Sequence, residues 1–343
     1  MRVEPPLGHG ATLGGLWRAA GERRLPHALL FEGPGGIGKF LAAKELALGL
    51  LCARGPGEPC RACGPCKRVL SGDWYGNHPD LYVIDPIEEA EETIKITRIA
   101  LREGGEDCTE AFLALRAMEG GWRIVIVREA QRMNEAAQNA LLKTLEEPTS
   151  DTLLVLVTHR SGRLLPTIKS RCVRVRFERL EAAETLRILT REGLVGEDAA
   201  QLSRWTRGSP GDALDLARRA GVPLRALLAA VLQGEKDALE AAREASELEG
   251  KFVGRTPAAR ERDRARTLVD LLLAMSGDLV RRAAGAPAEE LAHGDLRAAA
   301  PRAERIEALL EMRSDLDLNM NPRVVIERSL LVMADAVGVP SGS

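Results

Sequence analysis

Residues 27–51 restrict the fold more than any other part of the chain. A short apolar run at 27–32 leads into a glycine-rich turn, GPGGIGKF at 33–40, and a helix rich in Ala and Leu is predicted from Lys39 to Leu51. This order of strand, loop and helix is typical of a nucleotide-binding α/β unit, because backbone N–H groups and the helix dipole converge there on a phosphate. The candidate phosphate-binding residues of this degenerate loop are Gly33, Gly35, Gly36, Gly38 and Lys39.

The loop departs from the phosphate-loop pattern at its last position. Where a Ser or Thr hydroxyl would bind Mg²⁺, the chain has Phe40, and a phenyl ring cannot ligate a metal. A second departure is Arg128, which follows the predicted strand 122–127 where metal-assisted phosphoryl transfer uses an aspartate. We therefore expect no ATP hydrolysis at this loop. Nucleotide or phosphate binding without turnover stays open, as does a loop that is only a tight turn.

Four of the six cysteines lie close together in the sequence. Cys60, Cys63 and Cys66 form a C-x-x-C-x-x-C run, and Cys52 ends the preceding predicted helix. Four thiolates complete the tetrahedral coordination of a structural Zn²⁺, so these residues are predicted metal ligands. His78 is a competing ligand, although a His-Pro turn is the preferred interpretation. An iron–sulfur cluster is the second interpretation of the cysteines, and reduced, unliganded thiols are the third.

Composition bears on the class of protein. The formal net charge of −2 argues against a chain that binds DNA mainly through global attraction to phosphates, although a local basic face is compatible with it. No apolar run reaches the roughly 18 residues that a bilayer crossing needs, and residues 1–6 lack the apolar region of a signal peptide. We expect a cytoplasmic protein with no membrane partner.

The pattern of predicted elements changes near Leu180. Before it, apolar runs of strand length alternate with predicted helices over about 175 residues, which predicts an α/β domain with a parallel sheet. After it, only helical periodicity is found, interrupted by GSPG at 208–211 and by a predicted linker at 221–223. Further strands are predicted at 80–85, 122–127, 152–157 and 172–177, and helices at 11–25, at 95–119 with a break at 104–105, at 134–147 and from 322.

Several segments resemble bacterial clamp-loader AAA+ subunits, and together they extend over most of the chain. NALLKTLEEP at 139–148 and SRC at 170–172 are specific matches, and the four-cysteine insertion is shared with that family. HPD at 78–80 and GSPG at 208–211 are more similar to its non-hydrolysing stator subunit, and NMNPR at 319–323 resembles the start of a collar helix.

The resemblance implies three domains. They are a RecA-like AAA+ domain at 1–178 with the zinc insertion at about 52–66, a small helical lid at 179–220 and a C-terminal helical collar at 221–338. The implied function is that of a stator in the DNA polymerase III clamp loader, which helps to load the sliding clamp onto primed DNA. The implied partners are gamma/tau motor subunits and a delta subunit, with the clamp and primer–template DNA contacted through the complex.

The resemblance also implies roles for single residues. Arg171 of the SRC segment takes the position of an arginine finger, which stabilises γ-phosphate charge in a neighbouring subunit. Thr158 ends a predicted strand where motor subunits sense nucleotide. Gly211 takes the position of a lid arginine, which is a third departure from the ATPase pattern. The chain is therefore expected to be no enzyme on its own, although it is part of a DNA polymerase holoenzyme.

Two other functions compete with this interpretation. An ATP-hydrolysing gamma/tau-type motor would need Ser or Thr at position 40, Asp at 128 and Arg at 211, and the chain has Phe40, Arg128 and Gly211. A nucleic-acid-binding zinc module would need aromatic stacking residues near the cysteines, where only Trp74 and Tyr75 are found.

Overall fold

The chain folds into two compact units, the first ending at Leu180 and the second beginning at Glu181. The computed structural model describes residues 6–71, 78–89, 91–101, 108–119, 121–254, 256–287, 291–316, 318 and 320–334. In these residues the first unit is α/β and the second is helical, so the predicted change of pattern near Leu180 is confirmed. The division of the second unit into a lid and a collar stays a prediction.

A five-stranded parallel sheet forms the centre of the first unit. Its strand order is β2-β3-β4-β1-β5, and the three inner strands are buried over their whole length. Continuous burial is what apolar runs predict for strands that are covered on both faces. The predicted α/β, RecA-like class is thus confirmed. The strands are β1 (Ala28–Glu32), β2 (Leu81–Ile84), β3 (Arg123–Val127), β4 (Thr152–Thr158) and β5 (Val173–Arg176).

The helices of the first unit cover both faces of this sheet, since two separate apolar clusters line its two sides. One cluster joins the sheet to α1, α2 and α3, and the other joins it to α4, α5 and α6. The side chain of Asn134 accepts a hydrogen bond from Ala137 N at 2.8 Å and so caps α5. The helices are α1 (Gly10–Gly21), α2 (Lys39–Leu50), α3 (Gly64–Leu70), α4 (Thr109–Ala114), α5 (Glu135–Glu146) and α6 (Pro166–Lys169), with 3-10 turns at Ile96–Arg98, Ala130–Arg132 and Ser161–Arg163.

The helix predicted over residues 95–119 is wrong in its extent. Ile94 forms a parallel bridge with Met133, Ile96–Arg98 makes only one 3-10 turn, and α4 does not begin until Thr109. The pairing of Ile94 with a distant segment competes with local helical propensity, which is a weak determinant when tertiary contacts oppose it. The break predicted at 104–105 lies outside the described residues.

The second unit buries a long helix among shorter ones. Five apolar residues of this helix, α12, are all buried: Leu268, Leu271, Leu272, Met275 and Leu279. They pack in one cluster with residues of α10, α11, α13 and α14, while α7, α8 and α9 form a smaller cluster. The helices are α7 (Ala182–Arg191), α8 (Gly196–Thr206), α9 (Pro210–Arg218), α10 (Gly221–Leu232), α11 (Ala238–Glu247), α12 (Pro257–Ala283), α13 (Ala303–Asp315) and α14 (Pro322–Ala334).

Two proline-containing segments of the second unit start helices. Pro210 begins α9, which confirms the predicted break at 208–211, and Pro322 begins α14, as predicted. The linker predicted at 221–223 is wrong, because these residues form the first turn of α10. Proline fits a first helical turn because the N–H groups there have no acceptor within the helix. Of the helices that the structure describes, none combines the length and the apolarity that a bilayer crossing requires.

Asp80, which precedes β2, is a buried anchor of the first unit. Its carboxylate accepts hydrogen bonds from the backbone N–H groups of Met118 and Glu119, at 2.8 and 2.9 Å. The Nη1 of Arg123, only 3% exposed, lies 3.3 Å from the same carboxylate. Because both charges are buried, the loss of one leaves the other uncompensated.

We expect Asp80→Asn to lower the free energy of unfolding of the first unit by about 3 kcal/mol, because a buried guanidinium loses its counter-charge. Thermal unfolding followed by circular dichroism measures the change. Glu22→Gln, which removes one carboxylate from an exposed ion pair with Arg24 in the same unit, should leave the midpoint unchanged. Equal midpoints for the two variants would contradict the anchoring role of Asp80.

Candidate functional site

The glycine-rich loop joins β1 to α2 with the geometry that its glycines predict. Gly36 and Gly38 have φ of +65° and +91°, and Gly38 is the N-cap of α2. Gly33 has φ of +147°, and a Cβ there would lie 2.2 Å from the carbonyl oxygen of Phe177. Only glycine fits such a close approach. The structure thus brings the five predicted loop residues together at the carboxyl end of β1.

Lys39 is turned onto its own loop. Its side chain is 6% exposed, and Nζ donates hydrogen bonds to the carbonyl oxygens of Gly33, at 2.9 Å, and Pro34. His9 supports the same loop from α1's N-terminal side, since its Nε2 lies 2.6 Å from the carbonyl oxygen of Ile37. The loop is therefore held by protein contacts at both its lysine and its last turn.

The position of the missing metal ligand is filled by an aromatic ring with two cations beside it. The guanidinium carbon of Arg128 lies 4.7 Å from the centroid of the Phe40 ring, and Lys44 Nζ lies 4.3 Å from it. Both distances suit cation–π contact. Burial lowers the pKa of Lys44 to about 8. The nearby charge of Asp85 opposes this shift, and the charge of Arg128 adds to it. The arrangement provides positive charge where a phosphoryl-transfer site would hold Mg²⁺.

Arg128 also has a carboxylate partner. Its Nη1 donates a hydrogen bond of 2.8 Å to Oδ2 of Asp85, which follows β2 and is 1% exposed. The other oxygen of Asp85 accepts from the backbone N–H of Ile87 at 3.0 Å. This carboxylate is thus already hydrogen-bonded at both oxygens, whereas Mg²⁺ requires oxygen ligands in near-octahedral geometry. This edge of the sheet therefore holds an ion pair between Arg128 and Asp85 in which both carboxylate oxygens are already hydrogen-bonded.

A second polar network lies where β3 and β4 end. Thr158 Oγ1 donates to Gln131 Oε1 at 2.6 Å, and Gln131 Nε2 donates to Glu129 Oε2 at 2.6 Å. His159 Nδ1 lies 3.2 Å from the same carboxylate. Glu129 has φ of +55°, an uncommon conformation for a residue other than glycine. Thr158 and Glu129 are therefore coupled through Gln131, and the role of Thr158 in sensing nucleotide stays a prediction.

The four clustered cysteines meet at one point. In the part of the chain that the structure describes, Cys52, Cys60, Cys63 and Cys66 are the group placed to hold a metal ion, with their sulfurs within 4.8 Å of one another. Tetrahedral Zn²⁺ with bonds of about 2.3 Å would hold four sulfurs about 3.8 Å apart, so the arrangement is compatible with zinc. The zinc ion would serve folding, because four protein ligands leave no open position for a substrate.

The chemistry of the thiols also fits a cation. Backbone hydrogen bonds from Ala62 and Cys63 lower the pKa of the Cys60 thiol to about 6, which favours its thiolate. Cys66 is completely buried, and burial raises its pKa. A thiolate at Cys66 therefore needs a positive charge beside it, and a metal ion supplies one.

Ion pairs join the cysteine segment to the rest of the first unit. Arg61 donates to the buried carboxylate of Glu45 on α2, and Arg68 on α3 pairs with Glu119. His78 accepts from the backbone N–H of Asp80 at 3.1 Å through Nδ1, and its Nε2 lies 3.3 Å from Glu119. His78 thus contributes to this anchoring cluster and is not one of the four metal-ligand candidates.

Arg171 lies between α6 and β5 with its side chain 35% exposed. Nη1 donates to the carbonyl oxygen of Thr167 at 3.1 Å, and Nη2 lies 2.6 Å from Oε1 of Glu146, the last residue of α5. Cys172, the next residue, is buried, and so is Cys108, the other cysteine outside the cluster. Gly211 lies in the second unit as the second residue of α9.

Three partners in these sites were missed in the sequence. Asp85 could have been found from the sheet, because β2 neighbours β3 and the carboxyl ends of parallel strands meet at one edge. Glu146 is part of the LLKTLEEP segment, but nothing in that segment indicates its contact with Arg171. Lys44 is one helical turn from Phe40 on α2, a spacing that places both side chains on one face.

We expect one Zn²⁺ per chain, with Cys63→Ser losing most of the metal and unfolding at lower temperature, because a closed site contributes to folding. Metal content is measured by elemental mass spectrometry after exhaustive dialysis. Cys108→Ser is the matched control, since Cys108 caps α4 through its Sγ and Ser is a good N-cap. Stoichiometric iron would favour a cluster instead, and purified protein without metal would contradict both.

The comparisons with known proteins agree with these observations. The family model described as "DNA polymerase III, delta subunit" matches residues 8–181. A DNA polymerase III subunit delta' from Pseudomonas aeruginosa is 40% identical over 228 residues, which are 66% of this chain and 65% of that protein. The delta' subunit of Bacillus subtilis is 39% identical over 166 residues, 48% of this chain and 46% of that protein.

These matches span about half to two thirds of the relatives' length. A crystal structure of a DNA polymerase III gamma-subunit-related protein from Thermotoga maritima is similar in fold, with a TM-score of 0.51, 18% identity and coverage of 94% of this chain and 99% of that one. The family model covers just over half of the chain, and the delta' relatives match in the same region. The chain belongs to the DNA polymerase III delta-prime family of clamp-loader proteins.

Proposed function

We propose that this chain is a stator subunit of a bacterial clamp loader, which hydrolyses no ATP and supplies Arg171 to the nucleotide site of a neighbouring subunit. Its gamma/tau and delta partners, and the clamp and primed DNA on which the complex acts, follow from membership of the delta-prime family. The observation that carries the proposal is the Phe40–Arg128–Asp85 arrangement at the metal position. As part of the polymerase holoenzyme, such a subunit would act in the cytoplasm.

Hydrolysis in this chain is opposed by charge as well as by the missing hydroxyl. Mg²⁺ that approached the loop would meet Arg128 and Lys44, and Asp85 is already paired with Arg128. Like charges at close range repel strongly where water is excluded. A gamma/tau-type motor would need these groups to be replaced, so the motor function is the weaker candidate.

The parallel sheet supports action of Arg171 in trans. The glycine-rich loop follows the carboxyl end of β1, whereas Arg171 precedes the amino end of β5. In the register of β1 and β5, Val173 pairs with Leu29, four residues before Gly33 or about 13 Å along the strand. Arg171 and the loop are therefore at opposite edges of the sheet, which supports a neighbour's phosphate rather than this chain's own loop as the proposed target of the guanidinium.

We propose that the second unit mediates assembly of the subunit ring. We place a lid at 179–220 and a collar at 221–338, whose long buried helix α12 and its neighbours form one apolar cluster. Helices with such extensive apolar packing suit a structural role in a subunit ring. The zinc segment at about 52–66 is then a stabilising insertion of the first unit.

The isolated protein should show no Mg²⁺-dependent ATP turnover above background. Phe40→Thr alone should not create turnover, because Arg128 still opposes the metal, and a coupled assay of phosphate release measures both proteins. Turnover that disappears in Lys39→Ala would contradict the proposal, since it would come from this loop.

Arg171→Ala should leave folding, metal content and complex assembly unchanged while lowering the DNA-stimulated ATPase and the clamp-loading rate of the reconstituted complex. A finger stabilises charge that develops during phosphoryl transfer, so its loss affects rate rather than binding. Arg171→Lys should rescue poorly, because an ammonium lacks the planar fork of donors.

Only the nucleotide site beside this subunit depends on Arg171, so we expect part of the ATPase to remain while clamp loading falls further. Arg24→Ala, which removes an exposed arginine of an ion pair elsewhere in the first unit, is the matched control. Wild-type rates of both hydrolysis and loading in the Arg171→Ala complex would reduce Arg171 to an ordinary surface residue.

A further inference from the structure

We propose that Glu146 is a positioning residue, which orients the guanidinium of Arg171 for the neighbouring site. This inference rests on the proposed function of Arg171. The contact that carries it joins Arg171 Nη2 to Glu146 Oε1 at 2.6 Å, across 25 residues of sequence and between two different elements, the end of α5 and the segment before β5.

The guanidinium is held from two sides. Nη1 donates to the carbonyl oxygen of Thr167 at 3.1 Å and lies 3.4 Å from Ser170 Oγ, both contributed by its own segment. Glu146 contributes the acceptor from the other element at Nη2. A guanidinium carries five N–H donors in one plane, so these acceptors define its orientation and leave donor capacity for a phosphate.

Glu146 is available for this contact because the other cation near it on α5 is already paired. Lys143, one helical turn earlier, lies 2.7 Å from Glu110 on α4. Asn134 caps the start of the same helix, so the position of Glu146 is defined by a helix anchored at its N-terminus. The backbone of Glu146 thus belongs to a regular helix and not to a loop.

The exposure of the Arg171–Glu146 pair fits a role in orienting the guanidinium of Arg171 better than a role in inhibiting it. The side chains of Arg171 and Glu146 are 35% and 49% exposed, and a pair so open to water contributes little attraction. Such a weak pair can still favour the rotamers of Arg171 that reach Glu146, and a phosphate can displace it. Since less freedom remains to be lost on engagement, a preorganised guanidinium stabilises a transition state more effectively.

In reconstituted clamp-loader complex, Glu146→Ala should lower the kcat of DNA-stimulated ATPase about two- to fivefold, the size expected for loss of an exposed pair. KM for ATP should change little, because nucleotide is bound by the neighbouring subunit. Glu146→Gln keeps an oxygen acceptor at the same place and should restore most of the rate. The double variant Glu146→Ala/Arg171→Ala should be no slower than Arg171→Ala alone.

Glu147→Ala is the matched control, because this adjacent exposed carboxylate lies near Lys143, whose pKa is raised mainly by Glu110 and further by Glu147. It should leave kcat unchanged. If Arg171→Ala slows the complex and Glu146→Ala does not, or if Glu146→Ala is faster than wild type, the positioning role is overturned and the finger survives. If Arg171→Ala has no effect, the finger and the positioning role both fall. Additive losses in the double variant would also overturn the inference, since they would show that Glu146 acts independently of Arg171.

Discussion

The pairing of β1 with a parallel strand on each side is the constraint on which the rest of the first unit depends. β1 lies between β4 and β5 and runs parallel to both. Segments that follow a strand therefore lie at one edge of the sheet, where the carboxyl ends of the strands meet, and segments that precede a strand lie at the opposite edge. The glycine-rich loop and Arg128 meet at the first edge. Arg171 and Glu146 lie at the second edge, so the topology separates the Arg171 guanidinium from the glycine-rich loop.

At the first edge, side chains replace what a metal would contribute. The ring of Phe40 removes the space and the hydroxyl, Arg128 and Lys44 supply positive charge, and Asp85 balances Arg128. A charge on Lys44 or Asp85 alone would be unfavourable, because both residues are buried. Together they form a mutually satisfied cluster, in which removal of one charge would leave another uncompensated. This interdependence is the physical reason that one substitution is not expected to recreate a metal site.

Sequence reasoning succeeded where a residue's environment follows from its close neighbours. Continuous apolar runs predicted the strands, and the spacing of Cys60, Cys63 and Cys66 predicted a cluster that the structure assembles with Cys52. Sequence reasoning failed where contacts between distant segments determine the local structure. Residues 95–119 were predicted as helix, but Ile94 pairs with Met133. The contacts of Asp85 with Arg128 and of Glu146 with Arg171 also join residues far apart in the sequence. The spacing of residues within one helix or strand cannot predict such pairs.

The closed loop has a consequence for the energetics of the folded chain. A protein that binds nucleotide gains stability in proportion to the logarithm of ligand concentration, so its fold responds to the supply of that ligand. Here Lys39 donates a hydrogen bond to its own loop, and the Phe40 ring contacts Arg128 and Lys44. A phosphate that used Lys39 would have to displace its contacts with the loop. The free energy spent on that displacement would reduce the stability gained from nucleotide, so the fold would respond less to nucleotide concentration than that of a protein with an open loop.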